Sequence, residues 1–132
     1  MTRIWFTPHT ARRTLERIRP AVERMSHLYR AMDGDRPRRF ECDTRVEPRY
    51  FEMAQSLLKL IHGLGRVGVR VPNPRLGWID FPARRAGRAV LLSWQLGEPR
   101  LDHWRETDDV LGPRHPLDDD GPWEPVPPVR SG

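Results

Sequence analysis

Four side chains in the second half of the chain are of the types that hold cations or move protons: Asp80, Glu98, His103 and Glu106. Carboxylates brought together can bind a hard divalent cation through oxygen, or divide general-acid and general-base work between them. A site of that kind would be metal-dependent and hydrolase-like. The same carboxylates have a second role open to them, accepting hydrogen bonds from turn amides and pairing with neighbouring arginines. No spacing in the sequence forces the four onto one point. His103 and Glu106 stand three apart in a strand-like segment, which sends them to opposite faces. A second set is basic: Arg84, Arg85 and Arg88 lie near Phe81 and Trp94, and Arg36, Arg38 and Arg39 form another patch. Arginine beside aromatic rings can grip phosphate and stack on bases. A solvated basic surface is the alternative, and no helix-turn-helix, zinc-finger or RNA-recognition pattern accompanies the clusters. Trp78, Trp94 and Trp104 have the bulk to fill a core, line a pocket or form an interface.

Nucleophilic chemistry has less support. Ser93 falls inside a strand-like run and lacks the glycine-flanked turn that exposes a catalytic serine. Ser26, Ser56 and His62 fall on helices without a triad-like pattern. Cys42 lies between Glu41 and Asp43, whose charges disfavour the thiolate. Gly63, Gly65 and Gly68 fit neither glycine-rich phosphate-binding fingerprint. No catalytic residue is assigned.

The elements that must position these residues follow from hydrophobic periodicity. Thr7 is a suitable N-cap and Pro8 a suitable first helical residue. Ala11, Leu15, Ile18, Val22, Met25, Leu28, Tyr29 and Met32 then recur at spacings of three, four and one, forming one helical stripe. Pro20 lies inside the stripe and is expected to kink the helix rather than end it. Residues 33–47 are charged, contain Gly34 and Pro37, and read as a loop. A second helix begins near Pro48 and carries Phe51, Ala54, Leu57, Leu58, Ile61 and Leu64, with Gly63 and Gly65 as its C-cap. Two amphipathic helices so joined imply an antiparallel hairpin over residues 7–65. Residues 67–106 then read as a β-meander: Val67–Val71, Leu76–Phe81, Arg88–Leu96 and Arg100–Glu106. The apolar run Ala89–Leu92 implies burial on both faces. The expected architecture is α+β, one domain over residues 1–116, with the hairpin packed on an antiparallel sheet of three to four strands. Residues 117–132, rich in proline and aspartate, read as a disordered tail in which Trp123 is incidental, the alternative being a residue for self or partner docking.

At 132 residues the chain is of single-domain size, and one cysteine excludes an intramolecular disulfide. Without a long apolar run or an apolar signal core at the start, a membrane span and secretion are not expected, which points to the cytoplasm. Charge is polarised. Residues 1–98 carry 19 basic and 10 acidic side chains, whereas residues 99–132 carry 4 and 8. A basic body with an acidic end can bind nucleic acid, or can attract its own tail.

One stretch is also recognisable. Gly77, Asp80, Phe81 and Pro82 are followed by Gly87, Arg88, Val90, Leu91, Leu92, Trp94, Leu96, Gly97, Glu98 and Pro99, then by Trp104 and Glu106. This order resembles the carboxyl-terminal signature of the domain of unknown function 2203 family. Phe6, Thr7, Ala11, Leu15, Ile18 and Pro20 are similar to the family's opening helix, so the resemblance covers most of residues 4–116. It implies a small bacterial protein without an established activity. The family usually has tyrosine-tryptophan-histidine-glutamate where this chain has His103, Trp104, Arg105 and Glu106, and cysteine where it has Ser93. Arginine cannot ligate a metal, so a family ligand at position 105 is either lost here or replaced by His103 on the opposite face. The resulting expectation is a non-catalytic interaction or regulatory module. No cofactor is expected, a divalent metal being the alternative. The expected partner is a second copy, as a homodimer, or an unidentified protein. Nucleic acid lacks a supporting motif.

Overall fold

The computed structural model describes residues 4–34, 48–107 and 112–125. The long helix α1 (Pro8–Gly34) begins as its sequence dictates. Thr7 Oγ1 accepts from the Thr10 amide at 3.1 Å and Thr10 Oγ1 accepts from the Thr7 amide at 2.8 Å, so each of these amides, lacking a helical partner, is satisfied by the other residue's hydroxyl. The helix continues through Pro20, which is exposed, where the lost backbone bond faces water. Its stripe is buried at Ala11, Leu15, Val22, Met25 and Leu28. The expected loop at 33–47 begins with the last residues of α1; the rest of it, with Arg36, Arg38, Arg39 and Cys42, lies outside the described residues.

Helix α2 (Pro48–Arg66) returns alongside α1. Tyr29, Met32 and Asp33 from the end of α1 share a small hollow with Tyr50 at the start of α2, while Gly68, just past α2, abuts Ile4. The hairpin is therefore antiparallel. Gly63 and Gly65 do not cap α2; both lie within it. The cap is Gly68, at φ +92°. The Val69 and Gly68 amides reach back to the carbonyls of Leu64 (3.0 Å) and Gly65 (3.1 Å), the paired bonds that close a helix around a left-handed residue. The cap lies three residues beyond Gly65, which moves Val67 out of the first strand, and Val67 is exposed.

The sheet is an antiparallel meander of five strands rather than three to four: β1 (Arg70–Asn73), β2 (Trp78–Arg85), β3 (Arg88–Gln95), β4 (His103–Glu106) and β5 (His115–Pro116). β2 and β3 pair along their full length and are joined by the two-residue turn Ala86-Gly87, both at positive φ, the turn whose twist matches that of the strands. The fifth strand was hidden from sequence reading because it is two residues long and contains a proline. At the other edge Phe6 bridges to Ala83, with its amide 2.7 Å from the Pro82 carbonyl.

Alternation along β2 and β3 sorts residues onto two faces. Ile79, Phe81 and Ala83 pair with Trp94, Leu92 and Val90, and this face forms the core with α1 and α2. Trp94, Phe81 and Leu92 are almost wholly enclosed there, each contributing about 1.5–3 kcal/mol by removal of apolar surface from water. The other face carries Trp78, Asp80 and Pro82 on β2, Leu91 and Ser93 on β3, and His103 and Arg105 on β4. Asp80, Pro82, Leu91, Ser93 and Arg105 are buried as well, which bears out the two-sided burial expected for the Ala89–Leu92 run.

Candidate functional site

A polar cluster occupies this outer face. Asp80 stands opposite Ser93 in the β2–β3 register, and Arg105 reaches across β3 from β4. Arg105 Nη2 donates to Asp80 Oδ2 at 2.6 Å. Trp78 Nε1 sits between Asp80 Oδ1 (3.1 Å) and Ser93 Oγ (2.9 Å), and the Trp78 ring lies 5.1 Å from the Arg105 guanidinium carbon. The side chains of Asp80 and Arg105 are only 1% and 4% exposed. Burial pushes the Asp80 carboxyl above its ordinary value, against the hydrogen bonds and charge of Arg105 and the bonds from Trp78 and Ser93 that favour its ionised form. Desolvation is the larger effect.

A second cluster lies next to it, around the turn after β3. Arg114 donates to both Glu98 oxygens, at 2.7 and 3.1 Å, and to the Ser93 carbonyl at 3.0 Å. Glu98 Oε1 also accepts from the Gln95 amide at 2.7 Å, and its carbonyl accepts from Trp94 Nε1 at 3.1 Å. His103 Nδ1 is 3.5 Å from Glu98 Oε2. Burial raises the Glu98 carboxyl, but the bonds from Arg114 and the Gln95 amide and the nearby charges together outweigh it and leave the group below its ordinary value.

The four acid and imidazole candidates are thus divided. Glu98 and His103 are neighbours, Asp80 is held by Arg105, and Glu106 lies on the core-side face, opposite Val90, with Arg88 at 3.1 Å. Among the described residues no three His, Cys, Asp or Glu side chains are grouped to hold a metal ion. His103 and Arg105 are two apart in β4 and share a face. His103 therefore does not lie opposite position 105 as expected, because strand side chains alternate with a period of two. Beyond the first cluster, the outer face continues into a hollow of about 290 Å³ bordered by Trp5, Arg70, Pro82, Leu91 and Thr107.

The basic cluster at the β2–β3 turn has acidic neighbours from the end of the chain. Residues 117–125, expected to be disordered, are packed as a strap across this turn. Residues 126–132 lie outside the described residues. The strap runs antiparallel past the end of β2, with the Ala86 amide bonding Pro122 O and the Glu124 amide bonding Arg84 O, both at 2.9 Å. Arg84 Nε donates to Glu124 at 2.7 Å, and Glu124 also receives the Gly87 amide at 2.9 Å. Arg85 lies between two tryptophan rings, 5.1 Å from Trp104 and 4.9 Å from Trp123, and pairs with Asp118 at 3.3 Å. Arg12 of α1 binds Asp119 at 2.7 Å. Trp123 is therefore a docked residue, not an incidental one. Of the three tryptophans singled out in sequence, Trp94 fills the core, Trp78 covers Arg105, and Trp104 stacks on Arg85. Sequence reading missed Arg12, Arg114, Asp118 and Glu124. The available signal was the charge polarity of the chain, which could say that acidic and basic segments attract but not which residues meet.

The fold and this arrangement define a class: a small α+β protein in which a helical hairpin covers one side of an antiparallel meander and arginine–carboxylate clusters fill the other. The chain belongs to the family of uncharacterized conserved proteins DUF2203, whose family model matches residues 4–117. No curated protein and no solved structure matches the chain. No described helix is long and apolar enough to cross a membrane.

Proposed function

We propose that the protein is a non-catalytic interaction module. The supporting observation is the engagement of its carboxylates: Asp80 with Arg105 at 2.6 Å, Glu98 with Arg114 at 2.7 Å and Glu106 with Arg88 at 3.1 Å. A general acid or a metal ligand at these positions would first have to leave a charge-assisted partner, two of which are half-buried or deeper. A thermal-shift series with Mg²⁺, Mn²⁺, Zn²⁺ and a chelator tests this reading, because an ion that binds only the folded chain raises its midpoint. No shift is expected with any ion. A rise of several degrees that disappears in Asp80→Asn or Glu98→Gln would establish a metal site and overturn the proposal.

The partner we propose first is a second copy. Phe51 and Leu58 of α2 are 56% and 66% exposed and stand two turns apart on one side of the helix. An antiparallel two-fold pairing that sets Phe51 against Leu58 of the second copy also brings Glu52 toward the second copy's Lys59, twice by symmetry.

A further inference from the structure

The strap shows what the surface beneath it recognises. That surface consists of Arg12 from α1, Arg84 and Arg85 at the end of β2, and Trp104 from β4. Upon it sit Asp118 and Asp119, in a turn closed by the Gly121 amide on the Asp118 carbonyl, and then Trp123 and Glu124, whose segment makes two main-chain hydrogen bonds to the end of β2 and its turn. The strap's acidic side chains remain 39–58% exposed. Ion pairs so exposed are individually weak and screened by salt. Trp123, half-buried against Arg85 and edge-on to Trp104 at 6.2 Å, is its main apolar anchor besides Leu117. The strap is therefore held by several small contributions on a surface built from rigid elements of the fold.

We propose that the surface formed by Arg12, Arg84, Arg85 and Trp104 is a docking site for an acidic, tryptophan-bearing peptide segment of a partner protein, and that residues 117–125 are its built-in competitor. This inference rests on the interaction-module reading and names a partner class for it. A peptide is favoured over a nucleic acid because the bonds from the Ala86 amide to Pro122 O and from the Glu124 amide to Arg84 O are made by peptide backbone. Competition follows from mass action. A partner binds only the fraction of molecules whose strap is lifted, so its apparent affinity falls by that fraction.

Trp123→Ala removes the strap's main anchor and Gly121→Ala loosens it, and neither substitutes a residue of the surface. A Cβ at Gly121 would meet Arg85 Nη1 and lie 2.7 Å from both carboxylate oxygens of Asp118; these are the ends of flexible side chains, so they move aside and the Arg85–Asp118 contact is weakened. The experiment measures fluorescence anisotropy of a labelled peptide copied from residues 116–125, titrated with the full chain as wild type, Gly121→Ala, Trp123→Ala, and Gly121→Ala with Arg85→Ala. Circular dichroism establishes that each is folded. The expected result is about tenfold tighter binding by Trp123→Ala than by wild type, with a smaller gain for Gly121→Ala. That binding should weaken with salt and be lost when Arg85→Ala is added. Three results overturn the proposal: no peptide binding by either single variant, equal binding by wild type and both single variants, or tighter binding of a dodecameric oligothymidylate than of the peptide. Failure here removes the peptide site alone, whereas metal-dependent stabilisation would remove the interaction-module reading itself.

Discussion

Replacing Arg105 with methionine tests whether the outer-face cluster is a structural ion pair. Methionine keeps much of the length that lies under Trp78 but removes the group that binds Asp80 at 2.6 Å. Asp80, 1% exposed, then keeps only the Trp78 indole and the Ser93 hydroxyl as partners in its cluster. Removing one member of a buried pair costs about 3–5 kcal/mol. For a domain of this size that corresponds to a fall in melting temperature of roughly 10–20 °C. The sign of the pH dependence is fixed. Burial already holds the folded-state value above the ordinary 3.8, and losing Arg105 raises it further. A group raised in the folded state contributes stability that is fully present below its unfolded value and lost as pH rises through its folded value. The variant should therefore be closest to wild type near pH 4 and furthest from it at pH 7 and above. Adding Asp80→Asn removes the buried charge and should recover at least half of the loss at pH 7. Scanning calorimetry of the three proteins at pH 4.5 and 7 decides the matter. A deficit of less than about 1 kcal/mol at pH 7, or one that does not shrink at the lower pH, would refute the reasoning.

Glu98→Gln should show the opposite pH behaviour. Because Glu98 is lowered in the folded state from its ordinary 4.5, wild type should exceed the variant in urea stability at pH 6, and the gap should close as pH falls below 4.5 through the depressed folded value. Gly68→Ala places a Cβ at φ +92°, 2.8 Å from Ile4 Cβ, and should cost about 1–3 kcal/mol, read as a lower denaturation midpoint at unchanged slope. Gly63→Ala, with open space around its Cβ and a place inside α2, should be neutral or slightly stabilising in the same titration. Phe51→Ser with Leu58→Ser should turn a concentration-dependent dimer into a monomer in sedimentation velocity; a wild type that sediments as a monomer at all concentrations would refute the self-association proposal.

The sequence by itself determined the local structure. The Thr7 cap, the three-and-four spacing from Ala11 to Met32 and the alternation of β2 fix helix, strand and buried face, because each is set by contacts within a few residues or by a period of 3.6 or 2. The same signals were insufficient at the end of α2. Gly63, Gly65 and Gly68 all resemble caps on paper, and only the backbone shows which one takes the left-handed conformation. The tertiary structure alone decided the pairings. Asp80 meets Arg105 across 25 residues, Glu98 meets Arg114 across 16, and Arg12 meets Asp119 across 107. In a chain with 22 arginines, composition offers each carboxylate many equivalent partners. The choice among them comes from strand register and from the path of the strap. The fate of residues 117–125 was illegible for the same reason. Their composition is that of a solvated segment, and their order comes from Arg85, Trp104 and the exposed backbone of the β2–β3 turn, surfaces that exist only once the sheet has formed.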